Sequence, residues 1–185
     1  MTTITDLYDR ARSTPSDFWE HVEFISDLTV YREAKVVIEL GTRSGVSTAG
    51  WLHGLAQTDG QLWSVDIDPR PDLPDIRSWR FVQGDDLSTD VYNSLPEQAD
   101  IVFIDTSHDY THTLNELNLY RWKLWAGGCI VLHDTELARP LGVNPGPLFP
   151  VRAAITKFCD EHRLAWSNRP QNNGLGIIEV GPVDP

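Results

Sequence analysis

Cysteine is scarce in this sequence: only two of its 185 residues, Cys129 and Cys159, are cysteines. Two are too few for a disulfide framework, and Cys129 lies in an apolar run where a small core residue is expected. The N-terminus has neither the basic start nor the apolar stretch of a signal peptide. No apolar run approaches the roughly 18 residues that cross a bilayer. These absences predict a cytoplasmic protein with no membrane partner.

Basic residues are also few, with 15 Lys and Arg against 27 Asp and Glu and a formal net charge of −12. Proteins that hold nucleic-acid phosphates or anionic membranes need clustered Lys and Arg. The composition therefore argues against a nucleic-acid partner. It is compatible with a cationic ligand, although global charge says little about any one pocket.

Internal repeats, low-complexity tracts and linkers are absent as well, and 185 residues are too few for two ordinary domains. The sequence therefore predicts a single domain over residues 1–185. We expect N-terminal helices within residues 1–32, a ligand-binding core over residues 35–134 and a proline-rich loop over residues 135–150. A loop of that length in a compact domain is usually functional, so we expect it to form a wall of the substrate site.

Short apolar runs that end in glycine or a polar residue follow one another from residue 36 onward. They predict strands over residues 36–40, 61–65, 80–83, 101–104 and 129–132, with closing strands near 165–166 and 175–180. Helices are predicted over residues 47–55, 110–125 and 151–162. This alternation predicts an α/β fold, with a doubly wound, mostly parallel sheet of about seven strands and helices on both faces. The last strands are expected to pair antiparallel at one edge.

Polar residues gather at the carboxyl ends of the predicted strands, which is where open α/β sheets bind ligands. Asp and Gly also end strands and cap helices without any further function. One or two such ends would mean little, but five together favour a binding site. The ends are Glu39 and Gly41, Asp66 and Asp68, Asp85 and Asp86, Asp105 and His108, and His133 and Asp134.

The first of these turns spans residues 39–47 and reads Glu-Leu-Gly-Thr-Arg-Ser-Gly-Val-Ser. Its glycines are spaced G-x-x-x-G, which is neither the dinucleotide fingerprint G-x-G-x-x-G nor a P-loop. Glycine lets a ligand approach the backbone, and the helix that opens at Ser47 offers free N–H groups to a carboxylate or phosphate. Asp66 is placed to accept both hydroxyls of a ribose, and Ile67 to lie flat on an adenine.

The turn followed by an acid at the end of the next strand resembles the class I methyltransferases of the catechol O-methyltransferase type. The wider pattern is most similar to methyltransferase family 24, which includes macrolide-sugar O-methyltransferases and cephalosporin-hydroxylase-like proteins. The resemblance covers residues 36–134 and includes the segment Asp105-Thr106-Ser107-His108. It implies S-adenosylmethionine as cofactor, bound by Glu39, Gly41, Thr42, Ser44, Gly45, Ser47, Asp66, Ile67, Gly84 and Asp85. In that set the turn wraps the methionine part, Ser47 binds its carboxylate, Asp66 binds the ribose, and Gly84 and Asp85 lie beside the adenine.

Asp105 and Asp134 end neighbouring strands, and two converging carboxylates suit a hard cation such as Mg²⁺. The resemblance implies that these positions hold a divalent ion, which binds the hydroxyl oxygen of the substrate. His133 precedes Asp134 and is a third candidate ligand, although imidazole suits Zn, Mn or Fe better than Mg. We expect a divalent metal, with Mg²⁺ as the first candidate.

His108 follows Asp105 by three residues, at the position where the similar enzymes place a general base. Imidazole titrates near working pH and can accept the proton of an attacking hydroxyl. The alternative for His108 is an exposed loop histidine. His112 is expected to be a surface residue of the following helix.

Together these features predict an S-adenosylmethionine-dependent O-methyltransferase that acts on a small hydroxylated acceptor. By resemblance, that acceptor is a sugar or a polyketide-like hydroxyl. The alternative is a catalytically silent protein that kept the fold and the cofactor pocket, and the glycine spacing disfavours a nucleotide-dependent oxidoreductase. The N-terminal helices offer a face for a homodimer.

Overall fold

The computed structural model describes residues 2–140 and 146–180 of the chain. In these residues a seven-stranded sheet has the order β3-β2-β1-β4-β5-β7-β6. The strands span Val36–Leu40 (β1), Gln61–Asp66 (β2), Trp79–Gln83 (β3), Ala99–Ile104 (β4), Leu124–His133 (β5), Trp166–Arg169 (β6) and Leu175–Glu179 (β7). The first five pair in parallel, whereas β7 pairs antiparallel with both β5 and β6. The predicted mostly parallel sheet with an antiparallel edge is confirmed.

Six α-helices cover the two faces of the sheet within the described residues. They span Ile4–Ser13 (α1), Val22–Tyr31 (α2), Val46–Thr58 (α3), Thr89–Ser94 (α4), Tyr110–Tyr120 (α5) and Pro150–His162 (α6). Along β4 the side chains alternate between two buried clusters, with Ile101 and Phe103 on the side of α1–α3 and Val102 and Ile104 on the side of α5 and α6. This period-two alternation explains the continuous apolar run, because both faces of the strand are covered.

One predicted boundary is wrong for an identifiable reason. The predicted helix 110–125 ends at Tyr120 and is followed by a short 3₁₀ turn, so Leu124 and Trp125 belong to β5. Leu124 keeps the helical spacing of the preceding apolar residues, but its backbone is extended and pairs with Ala99. Within residues 1–32 the chain forms α1 and α2, which are separated by a short 3₁₀ turn over Trp19–His21.

The topology fixes where a ligand can bind. The sheet order reverses at β1, which has β2 on one side and β4 on the other. A crevice therefore opens beyond the carboxyl ends of β1 and β4. The turns that follow β1, β2, β3, β4 and β5 all reach this edge and carry the polar residues singled out from the sequence.

Candidate functional site

Two cavities lie side by side at the carboxyl edge of the sheet. The larger has a volume of about 370 Å³ and is lined by Gly41, Asp66, Ile67, Gly84, Asp85, Asp105 and others from the first four strand ends. The smaller, of about 80 Å³, is lined by the β1 turn, the start of α3 and His108. Both are lined by Gly41, Arg43, Asp105 and Thr106. The two cavities therefore meet over the gap between β1 and β4.

Glu39 lies behind the turn and not in either cavity. Its side chain is fully buried and accepts hydrogen bonds from the hydroxyls of Ser47 (2.7 Å), Thr48 (2.8 Å) and Ser64 (2.5 Å). Burial raises the pKa of Glu39 to about 7, while the three hydroxyls oppose that shift. Glu39 thus ties the first turn of α3 to β1 and β2, and it supports the turn over residues 41–47 from within.

Asp66 holds the same turn from the other side. One carboxylate oxygen accepts the backbone N–H groups of Thr42 (2.7 Å) and Arg43 (2.8 Å), and the other accepts that of Asp68 (2.9 Å). Asp66 also lines the larger cavity, where its oxygens keep lone pairs for a ligand hydroxyl. It therefore fixes the turn and faces the space predicted to hold the ribose.

Gly41 is the point where the turn meets the end of β4. Its φ is +87°, and a Cβ atom placed there would lie 1.9 Å from the backbone oxygen of Asp105. Only glycine fits such a close approach in a left-handed conformation. Gly45 also has a positive φ, of +82°, and directly precedes α3.

The lining of the larger cavity is strongly acidic and partly apolar. Five aspartates line it, against one arginine: Asp66, Asp68, Asp85, Asp86, Asp105 and Arg43. Arg43 is itself paired with Asp17, at 2.6 Å. Ile67 stands at the rim with 73% of its surface exposed, an uncovered apolar face beside a polar cavity. A ligand with a positive charge and a flat apolar part fits this lining.

Asp105, His108 and Asp134 form a cluster next to the cavities. Their ligand atoms lie within 4.8 Å of one another. His108 Nε2 is 2.6 Å from a carboxylate oxygen of Asp134 and 3.5 Å from one of Asp105. These hydrogen bonds raise the pKa of His108 to about 9 against the effect of burial. The other oxygen of Asp134, Oδ1, is buried and has no hydrogen-bond partner.

The structure places His133 behind this cluster, where sequence reasoning made it a metal ligand. Its Nδ1 lies 3.4 Å from Asp105 and 3.3 Å from Asp134, and its Nε2 lies 3.0 Å from the carbonyl oxygen of Asn172. Burial lowers the pKa of His133, but the hydrogen bonds to the two carboxylates outweigh it and raise the value to about 10. In the absence of an ion the ring therefore donates from Nδ1 towards these carboxylates and from Nε2 to Asn172. A metal-ligand role for His133 stays a prediction. Among the described residues, the cluster of mutually close ligand atoms contains His108 and not His133.

The alternation of side chains along β5 decides which way His133 faces. Leu132 faces α5 and α6, so the next residue, His133, faces the N-terminal helices. There its ring meets Phe18 edge-on at 4.9 Å and His21 at 5.7 Å. His21 is 1% exposed, and burial together with the neighbouring His133 lowers its pKa to about 4.

A second cluster, Asp86, His112 and Glu116, was missed by sequence reasoning. His112 was expected on the surface, but it lines the larger cavity together with Asp86. The available signal was the spacing of four residues between His112 and Glu116, which places both on one face of a helix. Asp86 comes from the segment after β3, and no local pattern joins it to the other two.

The predicted substrate loop lies partly outside the described residues, which omit 141–145. Of its described parts, residues 135–140 and 146–150 line neither of the two cavities. Glu136 is held by an amide hydrogen bond to the Asn173 carbonyl and by an ion pair with Arg152. A role of this loop in substrate binding stays a prediction.

Comparison with known proteins identifies the family. A model of the methyltransferase domain of family 24 matches residues 38–135, more than half of the chain. The chain belongs to this methyltransferase family. The prediction of an S-adenosylmethionine-dependent methyltransferase is thereby confirmed at the level of the enzyme class.

A curated relative and two solved structures extend this comparison. The chain is 27% identical to a rhamnosyl O-methyltransferase of Mycobacterium tuberculosis, over 88% of this chain and 73% of the relative. The fold is similar to that of the S-adenosylhomocysteine-bound methyltransferase PaMTH1 of Podospora anserina, with a TM-score of 0.66, 17% identity, and coverage of 95% of this chain and 86% of that one.

It is also similar to the MycE methyltransferase of the mycinamycin biosynthetic pathway, solved with Mg and S-adenosylhomocysteine. The TM-score is 0.71 and the identity 18%, and the match covers 97% of this chain but only 55% of that one. At such identities the two structures confirm the fold class. None of the helices in the described residues has the length and apolarity needed to cross a bilayer.

Proposed function

We propose that this methyltransferase transfers the methyl group of S-adenosylmethionine to a hydroxyl group of a small acceptor, with the help of a divalent metal. The observation that carries the proposal is the meeting of the two cavities at Asp105. The larger cavity offers a site for the donor, and the cluster of Asp105, His108 and Asp134 lies where the two cavities join.

The larger cavity suits S-adenosylmethionine in charge and in shape. The donor carries a sulfonium, and its methyl group is already electrophilic, so the protein has mainly to orient it. The acidic lining favours the positive charge, and Asp66 keeps acceptor capacity towards a ribose. The exposed face of Ile67 is available to cover a purine ring. The smaller cavity, lined by residues 41–47 apart from Gly45, would take the methionine part.

Asp105 and Asp134 fit a divalent cation, with Mg²⁺ as the first candidate. Two carboxylates face each other, and Asp134 Oδ1 is buried without any partner. When bound, such an ion would hold the acceptor hydroxyl and lower its pKa. His133 would keep both carboxylates in place from behind, since it donates to each of them.

His108 would serve as the general base. Beside two free carboxylates its pKa is about 9, so at neutral pH it carries a proton and cannot accept another. If Asp105 and Asp134 held a cation, they would no longer keep His108 protonated. Its imidazole would then be free to accept the proton of the acceptor hydroxyl. The rhamnosyl O-methyltransferase among the relatives supports a sugar hydroxyl as the acceptor.

A methyl-transfer assay tests the proposal. The purified full chain is incubated with methyl-labelled S-adenosylmethionine and a panel of rhamnose-containing and polyketide-derived glycosides, with Mg²⁺ or with EDTA. We expect labelled product from at least one glycoside with Mg²⁺ and a loss of most of the rate with EDTA. Equal rates in the two conditions would contradict the metal. Binding of the donor without transfer to any hydroxylated acceptor in the panel would contradict O-methylation and favour the silent binding protein.

A further inference from the structure

The cluster of Asp86, His112 and Glu116 has the composition and the spacing of a metal site. His112 and Glu116 project from the same face of α5, and Asp86 lies opposite them in the segment after β3. His112 Nε2 is 3.3 Å from a carboxylate oxygen of Asp86 and 3.6 Å from one of Glu116. The ligand atoms all lie within 4.8 Å of one another.

Three buried atoms of this cluster have no hydrogen-bond partner: Asp86 Oδ2, His112 Nε2 and Glu116 Oε2. Glu116 is fully buried and Asp86 is 9% exposed. Buried polar atoms in folded proteins are nearly always paired, so three unpaired atoms within one cluster of three residues call for a missing partner. His112 Nε2 lies near Asp86 Oδ1 and Glu116 Oε1 without a hydrogen bond to either, and the second oxygen of each carboxylate is the unpaired one.

We propose that Asp86, His112 and Glu116 form a second metal site, which binds a divalent transition ion such as Zn²⁺. One imidazole and two carboxylates are suitable ligands for this class of ion. Ligand atoms about 2.0–2.2 Å from Zn²⁺ in a tetrahedral arrangement lie roughly 3.3–3.6 Å apart, which matches the distances from His112 to its two neighbours.

Neighbouring groups hold the three ligands in place. The Thr106 hydroxyl donates to Glu116 Oε1 (2.7 Å), and the Tyr120 hydroxyl donates to the backbone carbonyl of Asp86 (2.8 Å). Such outer hydrogen bonds orient metal ligands. Asp86 and His112 also line the larger cavity, so a fourth ligand can reach the ion from there. The site shares no residue with the cluster of Asp105, His108 and Asp134 and does not depend on the proposed methyl transfer.

The competing explanation is a proton in place of the metal. Burial and the neighbouring Asp86 raise the pKa of Glu116 to about 10, so without a cation this carboxyl group keeps its proton. A proton shared by Glu116 and Asp86 would neutralise one charge of the pair. It would leave His112 Nε2 without a partner, and the metal accounts for that atom as well.

Metal stoichiometry separates the two explanations. The metal-free full chain is dialysed against Zn²⁺ alone, and bound zinc is measured by elemental analysis and by calorimetric titration. We expect the wild type to bind one ion at each of the two clusters. Glu116→Gln and His112→Asn should each lose one ion, and Asp134→Asn should lose the other. His162→Asn, which changes a histidine outside both clusters, should bind as much zinc as the wild type.

The proposal is overturned if Glu116→Gln and His112→Asn bind as much Zn²⁺ as the wild type. It is equally overturned if the wild type binds a single ion that Asp134→Asn removes. A higher melting temperature for Glu116→Gln with unchanged zinc binding would establish the shared proton. His112 is only partly buried, so we expect His112→Asn to fold even if Glu116→Gln does not. Circular dichroism of each variant checks its folding.

Discussion

The two sides of the crevice are held together by different kinds of interaction. On the side of β1 and β2, the turn is held by backbone amides and hydroxyls that bond Asp66 and Glu39, and these bonds are satisfied within the protein. On the side of β4 and β5, Asp105 and Asp134 are balanced by protonated histidines, and one carboxylate oxygen has no partner. The first side is the preformed cradle that we propose for the donor. The second is a balance of charges that a bound ion would change.

Removal of His108 should have the largest effect, and only on the second side. His108→Ala should lower kcat by about 10²–10⁴-fold, the usual contribution of a positioned base, and leave the affinity for S-adenosylhomocysteine unchanged. His162→Ala, measured in parallel, should keep the wild-type rate. An unchanged kcat in His108→Ala would contradict the base, and a loss of Mg²⁺ affinity in that variant would make His108 a metal ligand instead.

Removal of Asp66 should damage the first side. Asp66→Ala loses charge-assisted hydrogen bonds to the turn and to the ribose, each worth about 1.5–3 kcal/mol. The affinity for S-adenosylhomocysteine in calorimetric titration should fall by about 10–100-fold. Asp72→Ala removes an exposed aspartate of the same loop and should change nothing. Equal affinities in the two variants would show that Asp66 does not contact the cofactor.

Gly41 joins the two sides, and its substitution should disturb both. Gly41→Ala and Gly127→Ala form a matched pair, because both glycines have a φ of +87° but only the first has neighbours within 4 Å of an added Cβ. Each variant should lose about 1–2 kcal/mol for the left-handed backbone. Gly41→Ala should lose a further ~1–3 kcal/mol in urea unfolding because its Cβ meets Asp105. Equal losses would contradict the close contact of turn and strand.

The pH dependence of stability should belong to the second side and is the smallest effect. The folded-state pKa of His108, about 9, lies above its ordinary value of 6.5. Its ion pair with Asp134 therefore stabilises fully below pH 6.5, and the stabilisation is lost as the pH rises to 9. The His108 side chain is 40% exposed, so solvent screening keeps the effect small. In EDTA, Asp134→Asn should differ from Asp160→Asn in this pH window by about 2–4 °C in Tm. Parallel melting curves would exclude the pair.

The same contrast explains what the sequence could predict. The strand ends could be predicted because apolar runs such as 101–104 end at a polar residue. Parallel strands bring these polar residues to one edge of the sheet. The position of His133 next to Asp134 did not show which face of the sheet its side chain lies on. The alternation of side chains along β5 decides this. The cluster around Glu116 was missed because Asp86 lies on another element. Leu124 continues the helical spacing of the preceding apolar residues, but its backbone is extended. Tertiary packing, and not the local pattern, decides between helix and strand at this position.

The central claim is that the first side is a ready donor site, and titration of the wild-type chain with S-adenosylhomocysteine tests it most directly. Because the cradle of Asp66 and Gly41 is already held by internal hydrogen bonds, we expect one ligand per chain with a micromolar Kd, about −8 kcal/mol, with or without EDTA. The absence of both binding heat and a shift in Tm would contradict the account.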